Sequence, residues 1–203
     1  MIAGKKSLEG LGFVLVVVAL VLPIQVTNYQ KKQFRNFHVV NPNVMYRSGQ
    51  MPLPAIHKII NDFHIKSIVS LRDSYDAGQA PPDAAEEKFA QEYGLKYLRL
   101  TPKKWESESG ETPPILENIS KYLELISDPA NLPVLVHCFA GIHRTGAYCA
   151  IYRMEFEGWS NDKVIDELKK MGYDQIEKEK DVYDFIKNYK PKSISEIRKN
   201  KNP

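Results

Sequence analysis

The chain is 203 residues long, with 28 Lys and Arg against 25 Asp and Glu and a formal net charge of +3. This length suits one domain with a sizeable core, and so small a net charge gives no electrostatic footprint for nucleic acid. Cys138 and Cys149 are the two cysteines, too few for a disulfide framework.

The N-terminus departs from this average. Phe13 to Leu22 is an unbroken apolar run inside an uncharged stretch from Gly10 to Gln30. A helix of that length matches a hydrocarbon core of ~30 Å. Lys5 and Lys6 precede the run, as in a signal peptide or signal anchor. Leu22-Pro23-Ile24-Gln25-Val26 follows it and offers no small-residue cleavage site. Residues 1–30 are therefore expected to form one uncleaved N-terminal membrane-anchor helix, with a cleaved secretory signal as the alternative. The terminal position and the lack of a polar face argue against a buried core helix. Lys31, Lys32 and Arg35 beyond the run nearly balance Lys5 and Lys6 before it, so the positive-inside rule decides little. A short tail before a single anchor usually stays inside, which places the following domain outside the cytoplasm, in the periplasm. Secretion after cleavage would also put it outside.

Residues 31–190 read as the folded domain and 191–203 as a polar, basic tail. Residues 27–40 pass from a polar linker into a strand. Asn43 to Gln50, NVMYRSGQ, predicts a short strand ending in a turn at Ser48-Gly49. Over Pro54–His64, Ile56, Ile59, Ile60 and Phe63 share one helical face. Ile65–Leu71 is short and β-branched, as in a buried strand. RDSYDAGQAPPD is a loop by its Gly, Pro and Asp content. A helix over Ala84–Tyr93 stops at Gly94. Leu95–Leu100 alternates as a strand, and TPKKWESESGETPP is a second long loop. An amphipathic helix over Ile115–Ile126, a strand over Pro133–His137 and an apolar helix over Thr145–Phe156 follow. Ser160 caps a helix that runs to Met171 and breaks at Gly172. The last helix covers Asp181–Tyr189. Strands separated by helices predict an α/β fold with a central, mostly parallel sheet flanked by helices. Ligand sites in such sheets lie at the carboxyl ends of strands. The 72–83 loop, the 101–114 loop and the loop after His137 should converge there.

That last loop carries the chemistry. In PVLVHCFAGIHRTG, Cys138 ends a buried strand, and Gly141 permits a backbone conformation that a side chain would forbid. The amides of the following helix point back into the loop, and that helix end carries about half a positive charge. Loop amides and helix N-terminus together make an anion cradle. Arg144 adds a planar fork suited to bidentate phosphate contact. The same positive field lowers the pKa of a thiol, and the thiolate is the nucleophile. Cys138 is thus positioned to attack phosphorus while Arg144 holds the phosphoryl oxygens. Cys149, on the helix that follows, reads as a structural core thiol.

The stretch His137, Cys138, Gly141, Arg144, Thr145, Gly146 resembles the signature of the cysteine-dependent protein tyrosine phosphatases. VMYRSGQ, IKSIVSLR, PVLVHC and AIYRMEFEGWS look like the bacterial dual-specificity-type branch, so that the likeness covers roughly Asn41 to Lys187. The resemblance implies a phosphatase-like fold and a phosphocysteine intermediate on Cys138. It implies that Phe139, Ala140, Gly141, Ile142, His143 and Arg144 surround the phosphate, with Phe139 at the rim. Thr145 would ease departure of the sulfur, and His137 would orient the loop and help keep the thiolate. His143 either touches substrate or fills the loop. Arg47 either supports the loop or lies on the surface. No metal and no cofactor are implied. The partner is a phosphorylated protein or small-molecule phosphate, and no nucleic acid.

The sequence departs from the family at the general acid. The family usually donates a proton from an aspartate, and TPKKWESESGETPP has none. Glu106, beside a possible dry wall in Trp105, is the expected acid. Glu108 and Asp73 are the fallbacks, and Asp76 and Glu111 lie nearby. Relatives that act on inositol phosphates tend to carry lysines in the phosphate loop, and Phe139, Ala140 and Ile142 supply none. The expectation is therefore hydrolysis of phosphotyrosine or mixed phosphoprotein substrates. The alternatives are a phosphatase of inositol phosphates, phospholipids or another small phosphate, and a phosphate-binding module without turnover. A cysteine-based sulfur or arsenate enzyme fits the domain order less well.

Overall fold

The computed structural model describes residues 15–23, 25–27, 33–74, 76, 78–107 and 110–192. The chain divides into two compact units, residues 1–34 and 35–203. In the first, residues 15–23 and 25–27 are helical. Among the described residues no helix is long and apolar enough to cross a membrane. The anchor expected over residues 1–30 falls mostly outside the described residues, as does nearly all of the basic tail.

The second unit is built on a five-stranded sheet. Its strands are β1 (His38–Asn41), β2 (Met45–Ser48), β3 (Ser67–Ser70), β4 (Lys96–Arg99) and β5 (Val134–His137), in the order β1-β2-β5-β3-β4. The β1–β2 pair is antiparallel, and the other three pairings are parallel. A parallel sheet is covered on both faces, so its central strands carry no solvent-facing side. Accordingly β3 (SIVS) and β5 (VLVH) are buried at every position. Parallel neighbours need crossover connections, supplied by α1 (Leu53–Phe63), α2 (Ala84–Glu92) and α3 (Ile115–Ile126).

The strand period of two sorts the core onto two faces. Met45, Val69, Val134 and Val136 join one cluster with Ile119 and Tyr122 of α3 and with α4 (His143–Glu157), α5 (Asn161–Lys170) and α6 (Lys180–Asn188). Tyr46, Ile68 and Leu135 point the other way and are buried as well. On that side Tyr46 packs on Phe63 of α1 with ring centroids 4.8 Å apart. The α1 helix buries Ala55, Ile56, Ile59 and Ile60, a single stripe, and ends on His64 in the left-handed region. The α4 helix buries ten of its fifteen residues, as a helix wedged between sheet and further helices must.

The register places the site. Ser48 pairs with His137, His137 with Ser70, and Ser70 with Arg99. All four parallel strands therefore finish at one edge. The loops that leave it are those holding Gly49, Arg72, Thr101 and Cys138. One boundary differs from the sequence expectation where it matters. The α4 helix begins at His143 rather than near Thr145, which puts Arg144 in the first helical turn and leaves a loop of only Cys138–Ile142.

Candidate active site

The loop after β5 is held by its carbonyls. Gln50 N donates to Phe139 O at 3.0 Å, and Asn36 Nδ2 donates to Ala140 O at 2.8 Å. Arg47 Nη2 donates to Gly141 O at 2.7 Å and to Ile142 O at 3.4 Å. Each donor lies outside the loop, so the carbonyls turn outward and the amides are left to face the concave side. The Gly141 amide donates to Cys138 Sγ at 3.2 Å. Close backbone approach makes this possible. Gly141 has φ +77°, and a Cβ there would sit 2.3 Å from Gly49 N and 2.4 Å from the Ser48 carbonyl carbon. Gly146 lets α5 come near in the same way, since a Cβ would lie 2.7 Å from Leu168 Cδ2. Arg47 is 3 % exposed, which settles the choice left open by the sequence in favour of support for the loop.

Cys138 is buried. Burial pushes its thiol up, but the Thr145 side chain and amide, the Gly141 amide and the Arg144 charge outweigh it and hold the thiol below its ordinary value. The Thr145 hydroxyl is buried without a hydrogen-bond partner, and it is among the groups that hold the thiol down. Arg144 Nη1 donates to Leu71 O at 2.6 Å. That bond anchors the guanidinium at the end of β3, beside a crevice walled by Leu100, Trp105 and Tyr148. Cys149 contrasts with Cys138. Burial dominates there and pushes its thiol up to about 11, so it stays neutral, as a core thiol should.

Beneath the loop lies a polar network that the sequence reading missed. His137 Nε2 donates to Glu86 Oε1 at 2.6 Å, both side chains being buried. Tyr97 OH donates to Asp83 Oδ2 at 2.7 Å and lies 3.2 Å from Glu86 Oε1. Ser70 and Arg99 also bond Asp83. Burial alone would lower the His137 imidazole, but the Glu86 charge and hydrogen bond, with Asp83 and Cys138, raise it. Among the described residues, Asp83, Glu86 and His137 are the trio with metal-ligand spacing, their donor atoms lying within 4.8 Å. The Arg99 guanidinium already lies against Asp83 and supplies the positive charge a cation would bring. The arrangement therefore favours the protonated form of His137, directly before Cys138.

The remaining expected residues fall as follows. Phe139 stands at the rim, 51 % exposed. His143 stacks on Tyr173 with ring centroids 4.3 Å apart and lies 3.3 Å from Glu179, so its ring is engaged by the helical side of the domain. Asp73 accepts from Ser74 N at 2.8 Å and from the Thr101 hydroxyl, which ties the 72–83 loop to the 101–114 loop. Trp105 turns into the core, with its ring 5.2 Å from that of Phe185. Glu106 is exposed, so the dry wall expected from Trp105 does not enclose it. Glu108 lies outside the described residues.

A cysteine with a depressed pKa before a carbonyl-clamped loop, with an arginine in the next turn, makes a cradle suited to a phosphate. A family model described as the tyrosine phosphatase family matches residues 33–203, and the chain belongs to that family. The tyrosine-protein phosphatase-like protein OCA2 of Saccharomyces cerevisiae is 30 % identical over 131 residues, 64 % of this chain and 61 % of that relative's length. The core catalytic domain of the PP-IP phosphatase SIW14 of the same yeast superposes with a TM-score of 0.58 at 26 % identity, covering 82 % of this chain and 93 % of that one. The likeness to a bacterial dual-specificity branch is narrower. TpbA of Pseudomonas aeruginosa matches at 31 % identity over 55 residues, 27 % of this chain and 25 % of that relative.

Proposed function

We propose that this chain hydrolyses phosphate monoesters through a phosphocysteine intermediate and that phosphotyrosine in proteins is its substrate class. In the first step the Cys138 thiolate attacks phosphorus and the bond to the ester oxygen breaks. The Arg144 fork and the loop amides hold the three phosphoryl oxygens, where charge redistributes in the transition state. Glu106 donates its proton to the leaving oxygen. In the second step Glu106, now a carboxylate, takes a proton from water as that water attacks phosphorus. The P–S bond breaks, and the Thr145 hydroxyl steadies the departing thiolate. His137, whose protonated form Glu86 favours, adds positive potential behind the sulfur.

The aryl preference rests on one observation, the apolar and aromatic surroundings of the anion loop. Phe139 stands open at the rim, and Leu100, Trp105, Ile115 and Tyr148, with Lys103, wall the crevice beside Arg144. An inositol diphosphate is the second reading. It is favoured by the name of a relative, the inositol diphosphatase SIW14, and by Arg35 and Arg72 at the rim. Wild-type protein and Cys138→Ser should be assayed side by side on para-nitrophenyl phosphate, a phosphotyrosyl peptide and an inositol diphosphate. The expected result is turnover of the first two, lost by on the order of 10⁴-fold or more in the variant. Retained turnover in Cys138→Ser would remove the mechanism, and a kcat/KM higher on the inositol diphosphate than on the peptide would transfer the substrate assignment.

A further inference from the structure

Among the described residues, two arginines at the mouth of the site show no carboxylate partner. Arg35 Cζ lies 4.2 Å from the centroid of the Phe139 ring, and Arg72 Cζ lies 5.1 Å from it. Among the described residues, Arg99 and Arg153 are paired with carboxylates, and Arg47 and Arg144 bond backbone carbonyls. For Arg35 and Arg72 the contact made by the guanidinium among the described residues is the Phe139 ring face. The nearest acid in sequence, Asp73, is engaged by Ser74 N and Thr101.

Both arginines spring from fixed backbone. The Arg35 carbonyl accepts from Gly49 N at 2.7 Å, the glycine that packs against the phosphate loop. Arg72 N donates to Ser70 Oγ at 3.3 Å, and its carbonyl accepts from Arg99 Nη1 at 3.2 Å. The fold thus brings two like charges to one ring that is itself next in sequence to the nucleophile. Like charges so placed repel unless an anion joins them. A ring face attracts a cation only weakly at an exposed site, so either guanidinium can turn to a better acceptor. The planar fork is the group of choice for a carboxylate or phosphate.

We propose that Arg35 and Arg72, parked on Phe139, form a second anion subsite that reads an acidic side chain next to the phosphotyrosine of a peptide substrate. This rests on the phosphoprotein reading given above. Phe139 then has two tasks, walling the cleft toward the aryl group and presenting the two forks to the flanking chain.

The test compares two phosphotyrosyl peptides, one with Asp and Glu beside the phosphotyrosine and one with Asn and Gln in their places. Wild-type protein should prefer the acidic peptide by about 10- to 100-fold in kcat/KM, mainly through KM, since each charge-assisted contact is worth about a factor of ten. Raising the salt concentration should shrink that preference. In the Arg35→Gln, Arg72→Gln double variant the ratio should fall to near one. A ratio unchanged by the double substitution overturns the subsite while leaving the phosphoprotein reading intact. A ratio near one in the wild type overturns it equally. Wild-type protein that turns over neither peptide but hydrolyses an inositol diphosphate overturns both the parent reading and the peptide form of the subsite.

Discussion

The loop after β5 and the loop after β4 leave the same edge of the sheet, yet they are built in opposite ways. From Phe139 to Ile142 every carbonyl is taken by a donor outside the loop, namely Gln50 N, Asn36 or Arg47. The 101–114 loop is held by contacts to the helix that follows it, among them the Lys103–Glu117 ion pair. Thr101 O accepts from Asn118 Nδ2 at 2.7 Å, and Ile115 N reaches back to Lys104 O at 3.0 Å. Among its described residues Trp105 is the buried one, and Glu106 lies exposed beyond it. The contrast separates two kinds of catalytic contribution. The groups that meet negative charge are fixed before substrate arrives, which removes the cost of reorganising them during reaction. Glu106, the proposed proton donor, stands instead on an exposed part of the other loop.

Damage to the fixed loop should therefore be indifferent to the leaving group. Arg144→Lys replaces a fork by a point charge and should lower kcat/KM by about 10³-fold, the scale for losing a preorganised oxyanion donor. The loss should be the same for para-nitrophenyl phosphate and for phenyl phosphate. A variant within tenfold of wild type would show that bidentate contact is not the role of this arginine.

Damage to the other loop should depend on the leaving group. Glu106→Gln should slow phenyl phosphate by about 10²-fold, the lower range for a positioned general acid. Para-nitrophenyl phosphate, whose phenolate leaves with little help, should lose far less. The basic limb of the pH–rate profile should flatten, while the acid limb, which reports the Cys138 thiol, should stay. Uniform losses across leaving groups with an unchanged basic limb would pass the role to Glu108 or Asp73.

The same contrast explains what could be read from the sequence. The spacing of Cys138, Gly141 and Arg144 was legible because a strand end, a tight turn and a helix start fix those residues locally. Ile115–Ile126 was legible to the residue, since its apolar stripe and the flanking Pro114 act within a few turns. Arg47 and Glu86 were not. Arg47 sits in a strand whose burial depends on β5 and on α4, about a hundred residues away in the chain. Glu86 sits in AAEEKFAQE, where Glu beside Glu and Lys reads as a solvated face. Its neighbour Glu87 does point outward to Arg99, with a side chain 37 % exposed, whereas the Glu86 side chain is 3 % exposed. Only the pairing of β5 with β3 tells the two apart, because it brings His137 over α2. A long-range pairing of this kind leaves no periodic trace. Asp83 was hidden in the same way, reading as a loop residue while Ser70, Tyr97 and Arg99 close around it.

The smallest effect tests whether the Glu86–His137 pair beneath the fixed loop is part of that fixity. The fold raises the His137 pKa above the ordinary imidazole value of 6.5. A raised folded-state pKa adds stability that is fully present below the unfolded value and is lost as pH rises through the folded one. Glu86→Gln keeps the shape and a hydrogen-bonding group but removes the charge. At pH 6 it should lower unfolding stability by about 2 kcal/mol, within the range for a buried group deprived of its partner. The difference between variant and parent should shrink as pH is raised beyond the folded His137 value. Both proteins should carry Cys138→Ser for this measurement, because the depressed thiol titrates with the opposite sign and would partly mask the histidine. In the Cys138-bearing enzyme the same substitution should move the acid limb of kcat/KM to higher pH, since a less positive His137 withdraws potential from the thiolate. A purely structural Glu86 would lower stability equally at every pH and leave the acid limb in place. That outcome would reduce the network to core packing and assign the whole depression of the thiol to Thr145, Gly141 and Arg144.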